Sequence, residues 1–238
     1  MKIFYQESKV DYSNYSFPYQ VWAEIDDSES IDQALNQGFL PQSSNIEEDK
    51  HLFYLARSLR YKLSEFSWDK KRRYAQRRFN QKDYNTSIKP IIKTTEAIEH
   101  YWERANPWMT RSLGESYLSA ERFRYIWNKP FLNTILEIKA KEELIAFALI
   151  NKGESSSHYW YCFYNPNFDK ESGLGIMTMR AVLEWAQETC QQFAYVGTCY
   201  GNKAAYKSKS AAGVEFWDGL QWNPNKSMLK DLQSKDDK

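Results

Sequence analysis

The stretch Tyr159-Trp160-Tyr161-Cys162-Phe163-Tyr164, then Lys170-Glu171-Ser172-Gly173-Leu174-Gly175, then Ile176 to Cys190, carries the pattern that decides the fold. An apolar run rich in aromatics has the composition of a strand. Met179, Val182, Leu183, Ala186 and Cys190 then recur at helical intervals. Two glycines sit where that helix begins. A helix N-terminus presents unpaired backbone N–H groups and partial positive charge, and glycine lets the backbone close on a pyrophosphate or a nucleotide phosphate. A plain structural turn has the same local pattern, so the flanks must choose between the two.

Upstream, Phe131–Ile138, Leu144–Asn151 and Ser157–Tyr164 are apolar runs separated by short polar turns, which predicts an antiparallel meander. Downstream, Phe193–Gly197 predicts a short buried strand, parallel to the last meander strand if the helix is a right-handed crossover. Ala204–Ser210 is expected to be helical, and Val214–Trp217 with Leu220–Trp222 to close the sheet. In the front half, residues 1–20 are expected to be irregular and Ser28–Leu35 a capped short helix ended by Gly38. Leu52–Leu63 is expected as a strand, Asp69–Asn80 as a basic helix and Ile88–Ile92 as another strand. Thr95–Arg104 and Glu115–Trp127 show helical spacing. Beyond Pro224 the chain is polar and is expected to fray.

The 238 residues carry a net charge of +1, unevenly placed. Residues 1–50 hold ten acids against three lysines, whereas residues 57–83 hold ten Lys/Arg against three acids. That asymmetry predicts a local anionic partner rather than a polybasic protein. Three cysteines without ligand spacing and three scattered histidines argue against a metal site and for a reducing compartment. With no apolar run of spanning length and no signal-peptide pattern, the expectation is a soluble, cytoplasmic chain with no membrane association. Nine Trp and seventeen Tyr exceed what a small core needs, so rings are expected to line grooves as well as to pack.

Lys170, two further residues, then Gly173-x-Gly175 resembles the acyl-CoA loop of the GNAT acyltransferase superfamily. The meander, glycine-loop helix and crossover strand match that superfamily's core order. The resemblance implies an α+β fold: a GNAT-like mixed, mostly antiparallel sheet with flanking helices and a smaller N-terminal subdomain. The expected divisions are residues 1–85 for the subdomain with its basic segment, 86–224 for the catalytic domain and 225–238 for a polar tail. It also implies that Asn202, Tyr206 and Lys207 follow the crossover strand, with Tyr206 and Lys207 facing a splayed gap. A phenol there suits a general acid toward a leaving thiolate or hydroxyl.

A narrower resemblance covers roughly residues 95–222. Phe163-Tyr164-Asn165-Pro166, Gly173-Leu174-Gly175, Tyr195-Val196-Gly197, Ala205-Tyr206-Lys207 and Gly219-x-x-Trp222 are similar, in order, to motifs of arginyl-/leucyl-tRNA–protein transferases. Ile31 to Phe39, Phe66, Lys70–Arg73 and Arg77-Arg78 resemble the front half of that family. The resemblance implies transfer of Arg or Leu from tRNA to a protein N-terminal amine, an activity of an N-degron pathway. Catalytic roles then fall to Tyr164, Asn165, Glu171, Tyr206 and Lys207. Donor binding falls to Lys170, Gly173, Leu174, Gly175 and Asn202. Lys70, Lys71, Arg72, Arg73, Arg77 and Arg78 would hold tRNA phosphates by charge, or else form a solvated helix face.

Two departures from that family stand out. Its N-terminal cysteine cluster is missing: Tyr19 takes the place of an early cysteine, and Lys50–Ala56 the place of the rest, with Leu52, Phe53 and Leu55 expected to pack there. Asn165 stands where the family has Asp, and an amide neither carries charge nor takes a proton at neutral pH. Glu171 or Glu137 is expected to substitute, unless proton transfer is substrate-assisted or activity is lost. No cofactor is expected beyond aminoacyl-tRNA as co-substrate. Two alternatives remain open: an acyl-CoA-dependent N-acyltransferase using acetyl-CoA or another acyl-CoA, and a non-catalytic protein that binds tRNA or peptide.

Overall fold

A computed structural model describes residues 1–9, 11, 13, 18–26, 31–43, 51–113, 118–168, 173–209 and 211–237. The meander is present as β7 (Thr134–Ala140), β8 (Glu143–Lys152) and β9 (Ser156–Tyr164). Helix α5 (Leu174–Glu188) follows, and β10 (Phe193–Thr198) returns parallel to β9. Strand β8 is buried on both faces, and its alternation shows why. Ala146, Ala148 and Ile150 pack with Met179, Val182, Leu183 and Ala186 of α5. Phe147 and Leu149 point the other way, into a cluster with Phe123, Ile126 and Trp127. The latter three lie on α4 (Ala120–Trp127), whose Ser119 cap accepts from Arg122 N, while α3 (Thr95–Leu113) adds Ile98 and Tyr101. Each fully buried Val, Leu, Ile, Met or Phe side chain contributes about 1.5–3 kcal/mol by leaving water.

The front half departs from expectation. Residues 1–20, expected to be irregular, contain β1 (Lys2–Glu7) and the start of β2 (Tyr19–Glu24). Helix α1 (Ile31–Asn36) forms as expected, although residues 27–30, with the anticipated Ser28 cap, lie outside the described residues. Strand β3 (Phe39–Pro41) follows. The run Leu52–Leu63 is two strands, β4 (Leu52–Leu55) and β5 (Ser58–Lys62), because the chain changes sheets at Ala56-Arg57. Strand β4 completes a four-stranded sheet in the order β1-β2-β4-β3, where Phe53 packs with Ala34, Leu35 and Tyr195.

Helix α2 (Lys70–Asn80) and β6 (Tyr84–Pro90) precede α3. After β10, a 3-10 helix (Asn202–Lys207) leads to β11 (Val214–Trp217) and β12 (Trp222–Asn223). The eight-stranded sheet runs β12-β11-β5-β10-β9-β8-β7-β6. Strand β5, from the first 85 residues, is therefore an inner strand of the large sheet. The expected division at 85/86 does not coincide with a sheet boundary.

Residues 225–237 are not frayed, contrary to what their polar composition predicts. Asn225 caps α6 (Lys226–Asp236), Leu229 is 1% exposed against the α5-side core, and Gln233 Nε2 donates to Cys199 O at 3.1 Å. Two inward positions one turn apart suffice to dock a helix whose composition is otherwise polar.

Candidate active site

Strands β9 and β10 pair at Phe193↔Ser156, Ala194↔Ser157 and Tyr195↔His158, and then part. Two local irregularities separate them. In β9, Leu149 faces Tyr161 and Ile150 faces Tyr159, which leaves Trp160 as an extra residue, and such a bulge sharpens twist. In β10, Gly197 adopts φ 81°, a left-handed conformation that costs glycine little, and pairing with β5 is irregular between Tyr195 and Thr198. The bulge also sorts the side chains of β9. Tyr159 and Cys162 face the α5 side, whereas Tyr161 and Phe163 join the α3–α4 side.

A cavity of about 890 Å³ occupies the split. Gly173, Leu174 and Gly175 line it on the α5 side, while Leu40, Tyr54 and Met109 line it from the small sheet and α3. The cavity thus crosses the large sheet through the gap. Of the residues expected to act, Tyr164, Asn165, Gly173, Leu174, Gly175, Tyr206 and Lys207 are brought together in its wall. Helix α5 starts without a side-chain cap, and its first intrahelical bonds run from Ile176 and Met177 to Gly173 O. The N–H groups of Leu174 and Gly175 precede those bonds, as an anion site at a helix start requires. A Cβ at Gly175 would meet Tyr164 Cε1 at 3.0 Å, so the glycine admits the Tyr164 ring beside the helix.

Burial sets the protonation states here. It pushes the Tyr206 phenol up to about 12, with Cys162 and Tyr164 adding to the rise. Burial raises Cys162 to about 11, which keeps it a neutral thiol. Lys207 is lowered to about 8 by burial, and its Nζ donates to Thr198 O at 2.9 Å. A phenol that holds its proton and an amine that readily releases one therefore share one cavity.

Several expected residues do other work or lie outside the description. Asn202 is absent from the wall; its backbone N and Nδ2 both donate to Asp237 Oδ2, at 2.9 and 2.6 Å. Glu137 does not replace the missing carboxylate, because Lys89 pairs with it at 2.8 Å and the Tyr101 hydroxyl donates to it, away from the cavity. Lys170 and Glu171 lie outside the described residues. Asn165 Oδ1 accepts from Asn167 N at 3.0 Å, closing a turn at the rim.

Lys70, Arg73 and Arg77 are exposed on α2, and the side chains of Lys71, Arg72 and Arg78 are outside the description. Arg73 also donates to Trp68 O. Phe79 of α2, Tyr84 and Phe168 form a chain of ring contacts at 5.0 and 5.9 Å, and Phe168 lines the cavity. The basic helix is thus joined to the rim. His158 and the front-half wall residues Leu40 and Tyr54 escaped the sequence reading. An imidazole in an otherwise apolar strand run was the available signal for His158.

Among the described residues, no three His, Cys, Asp or Glu side chains group to hold a metal, and no helix is long and apolar enough to cross a membrane. Residues 72–211 match the sequence profile of a family described as arginine-tRNA-protein transferase, C terminus. A comparison with curated proteins gave no match. Among solved structures, FemX is similar with a TM-score of 0.52 at 11% identity, covering 85% of this chain and 70% of that one. L-PGS from Bacillus licheniformis is similar with a TM-score of 0.48 at 17% identity, covering 74% of this chain and 62% of L-PGS. The chain therefore spans less than two thirds of the length of L-PGS. At such identities the FemX likeness is one of fold.

Proposed function

Since the chain belongs to the arginine-tRNA-protein transferase C-terminus family, we propose that it is an acyltransferase moving an aminoacyl group from tRNA to a protein N-terminal amine. One observation carries this reading: a single cavity through a GNAT-like sheet gathers a helix N-terminus, a protonated phenol and an amine near neutrality. The start of α5 suits the 3′-terminal phosphates of tRNA, and exposed Lys70, Arg73 and Arg77 suit its backbone. The acceptor nitrogen attacks the ester carbonyl carbon and gives its proton to neutral Lys207. The carbon–oxygen bond to the ribose breaks, and Tyr206 protonates the departing 3′-oxygen. Lys207 then returns its proton to Tyr206 directly or through water. No cofactor enters this scheme, and the cytoplasm is where charged tRNA would be met.

The test is transfer of labelled Arg or Leu from charged tRNA to peptides with acidic or basic N-termini. Transfer of either group, with tRNA affinity falling linearly in log–log salt plots, is the expected result. No transfer and no tRNA binding at low salt would overturn the reading. Thermal stabilisation by CoA, with none by tRNA, would assign the cavity to an acyl-CoA instead.

A further inference from the structure

We propose that His158 is a further catalytic residue of this centre, its Nε2–H serving as the donor that stabilises the carbonyl oxygen as the amine adds. The inference rests on the aminoacyl-transfer reading of the cavity and supplies what that reading leaves unassigned. Addition of an amine to an ester places negative charge on oxygen, and fixed donors aimed at that charge are a leading source of rate enhancement. Tyr206 and Lys207 handle protons; neither has been given this task.

Three observations converge on His158. Among the described residues lining the cavity, it is the one whose side chain keeps a buried nitrogen, Nε2, without a hydrogen-bond partner. Burying such a group unpaired is costly, and a donor held for a substrate oxygen is one reason for the chain to bear that cost. Second, His158 lies opposite Tyr195, the final paired position before β9 and β10 separate, so it stands where the gap closes. Third, Asn151 Nδ2 stands 3.2 Å from Nδ1. With the amide NH₂ as the donor in this contact, Nδ1 accepts and the ring proton sits on Nε2, the tautomer the proposal requires.

The surroundings keep the imidazole neutral. The residue is 1% exposed, and burial, reinforced by the charge of Lys207, lowers its pKa to about 3. A neutral imidazole donates without surrendering its proton, which suits oxyanion stabilisation better than acid–base work. In the step itself the amine nitrogen bonds to the carbonyl carbon, and the π pair moves onto oxygen. That oxygen accepts from Nε2–H, and the pair returns as the ester bond breaks. His158 ends as it began.

The test combines kinetics of the full chain with NMR of the unaltered protein. His158→Phe fills the site without a donor and is expected to lower kcat by about 10²–10³-fold, with KM for charged tRNA within about twofold. His158→Gln restores an N–H and is expected to recover at least about tenfold of the loss, with the pH profile unchanged. In ¹⁵N-histidine spectra the unaltered protein should show a neutral Nε2–H imidazole from pH 6 to 8. An unchanged kcat in His158→Phe, an Nδ1–H tautomer, or titration between pH 6 and 8 would each overturn the proposal. If the parent transfers no aminoacyl group, the aminoacyl-transfer reading itself fails; if it does and His158→Phe matches it, only the role of His158 fails.

Discussion

Arg57 and Asp236, 179 positions apart, are joined by two hydrogen bonds, Nη1 to Oδ2 at 2.6 Å and Nη2 to Oδ1 at 3.2 Å. Asp236 Oδ2 also accepts from Gly201 N at 2.8 Å, and the neighbouring Asp237 holds Asn202. The last turn of α6 therefore grips the start of the segment that delivers Tyr206 and Lys207 to the cavity. Hydrogen bonds from Arg57 keep the Asp236 carboxyl below its usual range. With only 17% and 21% of the two side chains exposed, this bidentate pair outweighs an ordinary surface pair.

Asp236→Ala should lower stability by about 1 kcal/mol in urea unfolding and speed amide exchange selectively over residues 199–209. Unchanged exchange in that segment would show that α6 does not hold it.

Lys207 gives a pH signature. Folding lowers its pKa from 10.5 to about 8, so between those values the unfolded chain binds a proton that the folded chain does not. Stability therefore rises with pH across that window. Unfolding curves at pH 8 and pH 10 should show this rise in the parent and a smaller one in Lys207→Met. In transfer assays Lys207→Arg, a permanent cation, should lower the plateau rate about 100-fold. A rate equal to the parent's would remove Lys207 as the base.

Gly175→Ala would set a methyl 3.0 Å from Tyr164 Cε1 and push that ring off the start of α5. Weaker charged-tRNA binding, by about tenfold, with global stability lowered by less than about 1.5 kcal/mol, is the expected outcome. Tight binding by the variant would place the donor elsewhere.

Asn165→Asp keeps an oxygen for Asn167 N, so the rim turn survives and stability should stay within about 0.5 kcal/mol. The added carboxylate should raise transfer at pH 8 about tenfold by accepting a hydrogen bond from the incoming amine and orienting it for attack. Equal rates in both proteins would mean that the amide suffices.

Much of this was legible because it is local. Apolar runs between short polar turns marked β7, β8 and β9, a 3.6-residue stripe marked α5, and the glycines beside that helix start pointed to a binding loop at Gly173–Gly175, while the family resemblance pointed to Tyr164. Where distant contacts decide, the reading failed. Asn202 has the right neighbours in sequence, yet Asp237 occupies it; Glu137 has the right chemistry, yet Lys89 and Tyr101 hold it elsewhere. Nothing near Lys226–Asp236 announced a docked helix, since only its partners in the α5-side core make that segment ordered.

By itself, then, the sequence determined the meander and the crossover helix with its glycine opening, because side-chain periodicity and turn chemistry act over a few residues; Tyr206 and Lys207 were indicated by the family resemblance. Tertiary structure alone decided that β5 lies between β10 and β11, that the cavity crosses the sheet, and that its wall buries His158 and half-buries Lys207. Those outcomes depend on dielectric environment and on pairings between residues more than a hundred positions apart, which no local pattern encodes.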